Sequence, residues 1–154
     1  MRIIKITGIT LCLFLLAANV TGKEKKIKKS DLPAAVQKTA DEQSQGATVK
    51  GYNQEVENGK TFYEVELTVN GHSKDITMDP DGKVTEIEEE VALTSLPDAV
   101  HKGLTDQAKG GKITKVESLT KDGKLVAYEA QIVTGKKRSE IQVGPDGSRL
   151  KHKE

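Results

Sequence analysis

The sequence has a single cysteine, Cys12, and it lies inside the apolar run near the start. That run, Ile6 to Ala18, follows Arg2 and Lys5 and is broken only by Thr7, Gly8 and Thr10 before the polar stretch from Lys23. A positive start, a short apolar core and small residues at Ala17, Ala18 and Gly22 are the grammar of an export signal, and the run is too short to span a bilayer comfortably. Residues 1–22 are therefore expected to be a signal peptide, sending the chain to the periplasm or out of the cell with no stable membrane anchor after cleavage. Lipidation is not expected, because Thr10-Leu11 precede the cysteine where small residues are required. Once the signal is gone no thiol remains. Disulfides, a cysteine nucleophile and thiolate-held metal are excluded together.

Aromatics are scarce as well. Beyond the signal there are only Tyr52, Phe62, Tyr63 and Tyr128, too few for the stacking platforms that single-stranded nucleic acid needs. Charge is nearly balanced: the formal value of +1 for the whole chain becomes −1 when Arg2 and Lys5 leave. Such a chain has no long-range field to draw it to nucleic acid. A mature domain of this kind must be held by its apolar core alone.

What is present is present twice. Leu32-Pro33-Ala34-Ala35-Val36 returns as Leu96-Pro97-Asp98-Ala99-Val100, and Gly59-Lys60 as Gly123-Lys124. Tyr63-Glu64-Val65-Glu66-Leu67 returns as Tyr128-Glu129-Ala130-Gln131-Ile132, and Pro80-Asp81-Gly82 as Pro145-Asp146-Gly147. Order and spacing are kept, which makes this a tandem duplication. The expected organisation is a basic linker over 23–29, one repeat over 30–91 and a second over 94–152.

Each repeat opens with a helix pattern. Ser30-Asp31 and Thr94-Ser95 offer capping oxygens, and Pro33 and Pro97 suit a first helical turn. Leu32, Ala35, Val36, Thr39, Ala40 and Gln43 form one stripe, with Leu96, Ala99, Val100, Gly103, Leu104 and Gln107 its copy. Strands follow. Tyr63, Val65, Leu67 and Val69 alternate with Phe62, Glu64, Glu66 and Thr68, a period of two with one apolar face. The three-residue spacings Val49–Tyr52 and Ile113–Val116 predict a bulge near Gly51 and Lys115. Asn58-Gly59 and Asp122-Gly123 predict tight hairpins. The fold class read from this is α+β: two tandem repeats, each one helix packed on a four-stranded antiparallel β-meander.

The helix opening Leu-Pro-x-Ala-Val, the Tyr-Glu-Val-Glu-Leu strand and the Asp-Pro-Asp-Gly turn, in that order, resemble the PepSY-like family, also described as β-lactamase-inhibitor-like. The resemblance covers nearly all of the mature chain. It implies an exported, non-catalytic module that binds another protein, with a peptidase as the implied partner class. It also implies binding through an exposed sheet face, because the β-lactamase inhibitory protein grips its enzyme that way with two helix-plus-sheet repeats. Phe62, Glu64, Glu66, Glu129 and Gln131 are the contact residues this points to.

Other chemistry is thin. His72, His101 and His152 have no partners at metal-ligand spacing. Asp79, Asp81 and Glu88 fall at calcium-loop spacing, but Thr77 and Pro80 interrupt the pattern, so a proline-started turn is the preferred reading. The run Glu86 to Glu90 reads as a solvated strand end and linker. Glu64 and Glu66 lack the cleft that paired-carboxylate hydrolysis requires. No cofactor and no catalytic residue is expected. The alternative function is a periplasmic sensor or buffer of cations or small ligands, using the acidic turn residues.

Overall fold

The structure, a computed structural model, describes residues 24–154, so the expected signal peptide lies outside the described residues. Lys25–Ile27 forms β1, and Ala34–Gln43 forms helix α1. The strands β2 (Thr48–Glu57), β3 (Lys60–Val69), β4 (His72–Met78) and β5 (Val84–Glu90) follow. Helix α2 (Asp98–Ala108) then precedes β6 (Lys112–Lys121), β7 (Lys124–Thr134) and β8 (Lys137–Val143). No helix among the described residues is long and apolar enough to cross a membrane.

The expected fold class of two repeats, each a helix on its own four-stranded meander, is overturned. The strands form one eight-stranded sheet in the order β1 to β8, each antiparallel to its neighbour. Four strands follow α1 but only three follow α2. Ser148–Lys151, where the fourth strand of the second meander would fall, supplies only an isolated bridge between Val143 and Arg149. That segment offers one apolar residue, Leu150, and so cannot repay a packed strand. The other departure is at the seam. Separate sheets would leave β5 and β6 with unpaired backbone edges, and pairing the two satisfies both. Lys25–Ile27, expected within a basic linker, pairs with Gln54, Asn53 and Tyr52 and extends the sheet beyond the repeats.

Both helices cover the same face. Beneath α1, Leu32, Val36 and Ala40 pack with Val65, Leu67, Ile76 and Met78. Beneath α2, Val100 and Leu104 pack with Val116, Ala130 and Val143. Tyr63 and Tyr128 occupy equivalent places at the margins of the two cores. Each fully buried Val or Leu contributes about 1.5–3 kcal/mol, which is the source of cohesion in a chain without disulfides.

The bulges occur where the spacing predicts them, between Val49 and Gly51 and between Ile113 and Lys115. The caps differ from expectation: neither helix has a side-chain cap. Asp31 instead accepts from the Lys28 backbone N–H at 3.0 Å, and Ser95 donates to the Ala92 carbonyl at 2.7 Å. Each thus closes a short 3-10 turn leading into a helix that begins just after its proline.

Candidate functional site

Strand alternation sends apolar side chains to the helices, and among the described residues no helix covers the opposite face. On that open face the register sets carboxylates side by side. Glu66 on β3 lies opposite Asp75 on β4, and Asp75 lies opposite Glu88 on β5. With strands about 4.8 Å apart, these three form a row across the first repeat. The row reaches the seam at Leu119 of β6, Glu88's register partner. Beside it, Glu90 faces Glu117, and Glu117 faces Glu129 on β7.

Oxygens of Asp75, Glu88 and Glu117 converge to within 4.8 Å of one another. This cluster is composite, since Asp75 and Glu88 come from the first repeat and Glu117 from the second. Glu117 is 6 % exposed. The Lys115 ammonium pairs with it at 2.6 Å, and the Ser73 hydroxyl lies 3.3 Å from Glu90 and 3.5 Å from Glu117. Lys121 pairs with Glu86, and Lys153 with Glu129 and Glu140. Among the described residues no salt bridge reaches Glu64, Glu66, Asp75 or Glu88.

The electrostatic consequence is visible in the acids themselves. Burial, followed by repulsion from Glu117, Glu86, Glu129 and Asp75, pushes the Glu88 carboxyl up to about 8. Burial pushes Glu64 up to about 7; the Asn53 amide opposes the rise, and Asp75, Glu24 and Glu66 add to it. Asp75 and Glu129 are also raised, in each case by burial first. The face holds more negative charge than its lysines neutralise.

The residues singled out in the sequence are spread along this face. Phe62, Glu64 and Glu66 lie on β3, and Glu129 and Gln131 lie on β7, four strand spacings or about 19 Å away. Glu64 and Glu66 meet at the Asn53 amide, while Glu129 accepts from Gln142 at 2.8 Å. Asp79 and Asp81 are elsewhere: Asp79 accepts from the Asp81 and Lys83 backbone N–H groups, each at 3.0 Å, and closes a turn. Glu88 belongs with Asp75 and Glu117, not with them. The alternation of Glu86, Glu88 and Glu90 at strand spacing was the available signal for the centre of the site. Reading that run as a linker hid it, because β5 is an interior strand. Asn53 and Glu117 carried no signal of their own.

A family model described as "Putative beta-lactamase-inhibitor-like, PepSY-like" matches the sequence twice, over residues 18–85 and 61–148. The chain belongs to this family. Three solved structures share the PepSY-like fold seen here. One is a protein of Bacteroides eggerthii described as "putative periplasmic", 16 % identical, with a TM-score of 0.65 over 78 % of this chain and 86 % of that one. A DUF2874 family protein from Bacteroides ovatus is 17 % identical, with a TM-score of 0.61 over 78 % and 85 %. A BLIP-like protein from Bacteroides fragilis is 19 % identical, with a TM-score of 0.58 over 79 % and 85 %. No curated protein matches the sequence.

Proposed function

We propose that this PepSY-like chain is a non-catalytic periplasmic binding module that seats a lysine- or arginine-rich surface of another protein on its open sheet face. The observation that carries the reading is the row Glu66–Asp75–Glu88, contiguous in register and without a salt bridge, the Lys115 ammonium that acts on Asp75 being paired to Glu117. A basic loop laid along that row would supply the missing charge, and charge complementarity sets specificity and encounter rate. The periplasm is supported by the export grammar of residues 1–22 and by the description of the eggerthii relative. A peptidase as the restrained partner, and binding by a sheet face, rest on what the resemblance to the PepSY-like, β-lactamase-inhibitor-like family implies.

The test is a titration with a lysine-rich peptide in chelator-treated buffer, followed by backbone amide NMR. Shifts are expected on β3 to β6 around Glu66, Asp75, Glu88 and Glu117. Affinity should fall about tenfold when Asp75→Asn and Glu88→Gln are combined, and further as salt screens the face. Shifts confined to the helix face, or an affinity indifferent to the double change, would refute the reading.

A further inference from the structure

A second group of acids lies at the β1 end of the open face, apart from the seam. Oxygens of Glu24, Glu64 and Glu66 lie within 4.8 Å of one another. Asn53 is the floor of this group. It is 1 % exposed, and its amide nitrogen donates to Glu64 at 2.9 Å and to Glu66 at 3.0 Å. Its Oδ1 is buried with no hydrogen-bond partner, the one such side-chain atom among the described residues. A buried acceptor without a donor costs about 1–3 kcal/mol and calls for an explanation. Gly51, opposite Glu66 in register, contributes room: a Cβ there would meet the Glu66 Oε2 at 2.7 Å.

We propose that Glu24, Glu64, Glu66 and the Asn53 amide oxygen form a calcium site that fastens β1 to the sheet. The Asn53 terminal torsion is two-fold and soft. Half a turn about it exchanges nitrogen for oxygen and delivers Oδ1 to the carboxylates. That exchange is repulsive without a cation and favourable with one.

The donor set selects the ion. It is all oxygen, which suits a hard cation and gives zinc none of the nitrogen or sulfur it prefers. Calcium holds oxygens at about 2.3–2.6 Å in flexible geometry, so its ligands stand up to about 5 Å apart. Magnesium needs a near-ideal octahedron at about 2.0–2.1 Å and gives up its water reluctantly, so donors drawn from three separate segments suit it less. Water and the second carboxylate oxygens complete the shell. Lys26 lies opposite Asn53 in register, yet it forms no salt bridge with the group.

The consequence concerns β1. This strand is three residues long and pairs with β2 alone. Glu24 directly precedes it, whereas Glu64 and Glu66 stand on β3, so one ion would tie the edge to the sheet interior. Glu66 is common to this group and to the Glu66–Asp75–Glu88 row, but calcium binding here requires no protein partner.

Calorimetric titration of the mature chain with calcium alone, after chelator treatment, should give one site with Kd near 10⁻⁴–10⁻³ M, the range of about 0.1–1 mM common in extracellular modules. Calcium should slow amide exchange of Lys25–Ile27. Glu66→Gln should weaken binding at least tenfold. Glu24→Gln, at an exposed position that leaves the core untouched, should also weaken it and abolish the protection of β1. Asn53→Asp should retain binding. No heat at millimolar calcium, equal affinity for magnesium, or binding lost with Asp75→Asn but not with Glu66→Gln would each overturn the proposal.

Discussion

Replacing Gly103 by alanine is expected to lower the melting temperature by about 5 °C, the reverse of the usual outcome in a helix interior. There, glycine to alanine ordinarily gains about 1 kcal/mol. Here a Cβ on Gly103 would stand 2.1 Å from the Gly147 carbonyl oxygen, and that neighbour is backbone. Overpacking of this kind costs about 1–3 kcal/mol, which outweighs the propensity gain. Gly147→Ala should be worse. Its φ is +79°, and an added Cβ would meet the Ala99 carbonyl at 2.1 Å. We expect a loss of about 3 kcal/mol and a melting temperature lower by about 10 °C. The first repeat solves the same contact differently: Thr39, at the position equivalent to Gly103, donates its hydroxyl to the Gly82 carbonyl at 2.8 Å. Thermal unfolding followed by circular dichroism decides the matter, and a Gly103→Ala variant melting above the parent would show that α2 does not rest on this turn.

The second large effect is a loss of stability as pH rises. Glu88 at about 8 and Glu64 at about 7 both stand above the ordinary glutamate value of 4.5. A raised carboxyl means that the folded chain binds protons which the unfolded chain releases, so stability is fully present below about pH 4.5 and is lost as pH climbs through 7 and 8. Each tenfold gain in proton affinity on folding corresponds to about 1.4 kcal/mol. Both groups are partly solvated and both are repelled by Asp75, which cuts the sum to about 2–4 kcal/mol. In chelator-treated buffer the melting temperature should fall by about 10 °C between pH 5 and pH 8.5. Glu88→Gln keeps the shape and removes the charge, and should recover about half of that fall at pH 8.5 while changing little at pH 5. A flat profile, or one rising with pH, would contradict the account of the open face as uncompensated charge.

The turns and bulges were legible because they are written in glycines and apolar spacing, both local features. Gly59 and Gly123, Tyr63 and Tyr128, and the two bulge spacings all stand where the pattern puts them. The joining of the sheets was not legible, because pairing β5 with β6 is a non-local choice that neither strand's residues specify. Position within the sheet decides how a charge run behaves. At an edge, Glu86 to Glu90 would be solvated; in the interior, Glu88 is pressed against Asp75 and Glu117. Asn53 looked like an ordinary strand residue, and only its burial against Glu64 and Glu66 gives it significance.

The pairing of β5 with β6 also determines how the two halves of the chain depend on each other. Neither half is a self-sufficient object, because each lends the other a backbone ladder and a share of the Asp75, Glu88 and Glu117 cluster. Cutting the chain near Ala92 would leave two fragments, each baring a long ribbon of unsatisfied amides and carbonyls to any strand that came by. Inheritance of the two halves is therefore all or nothing.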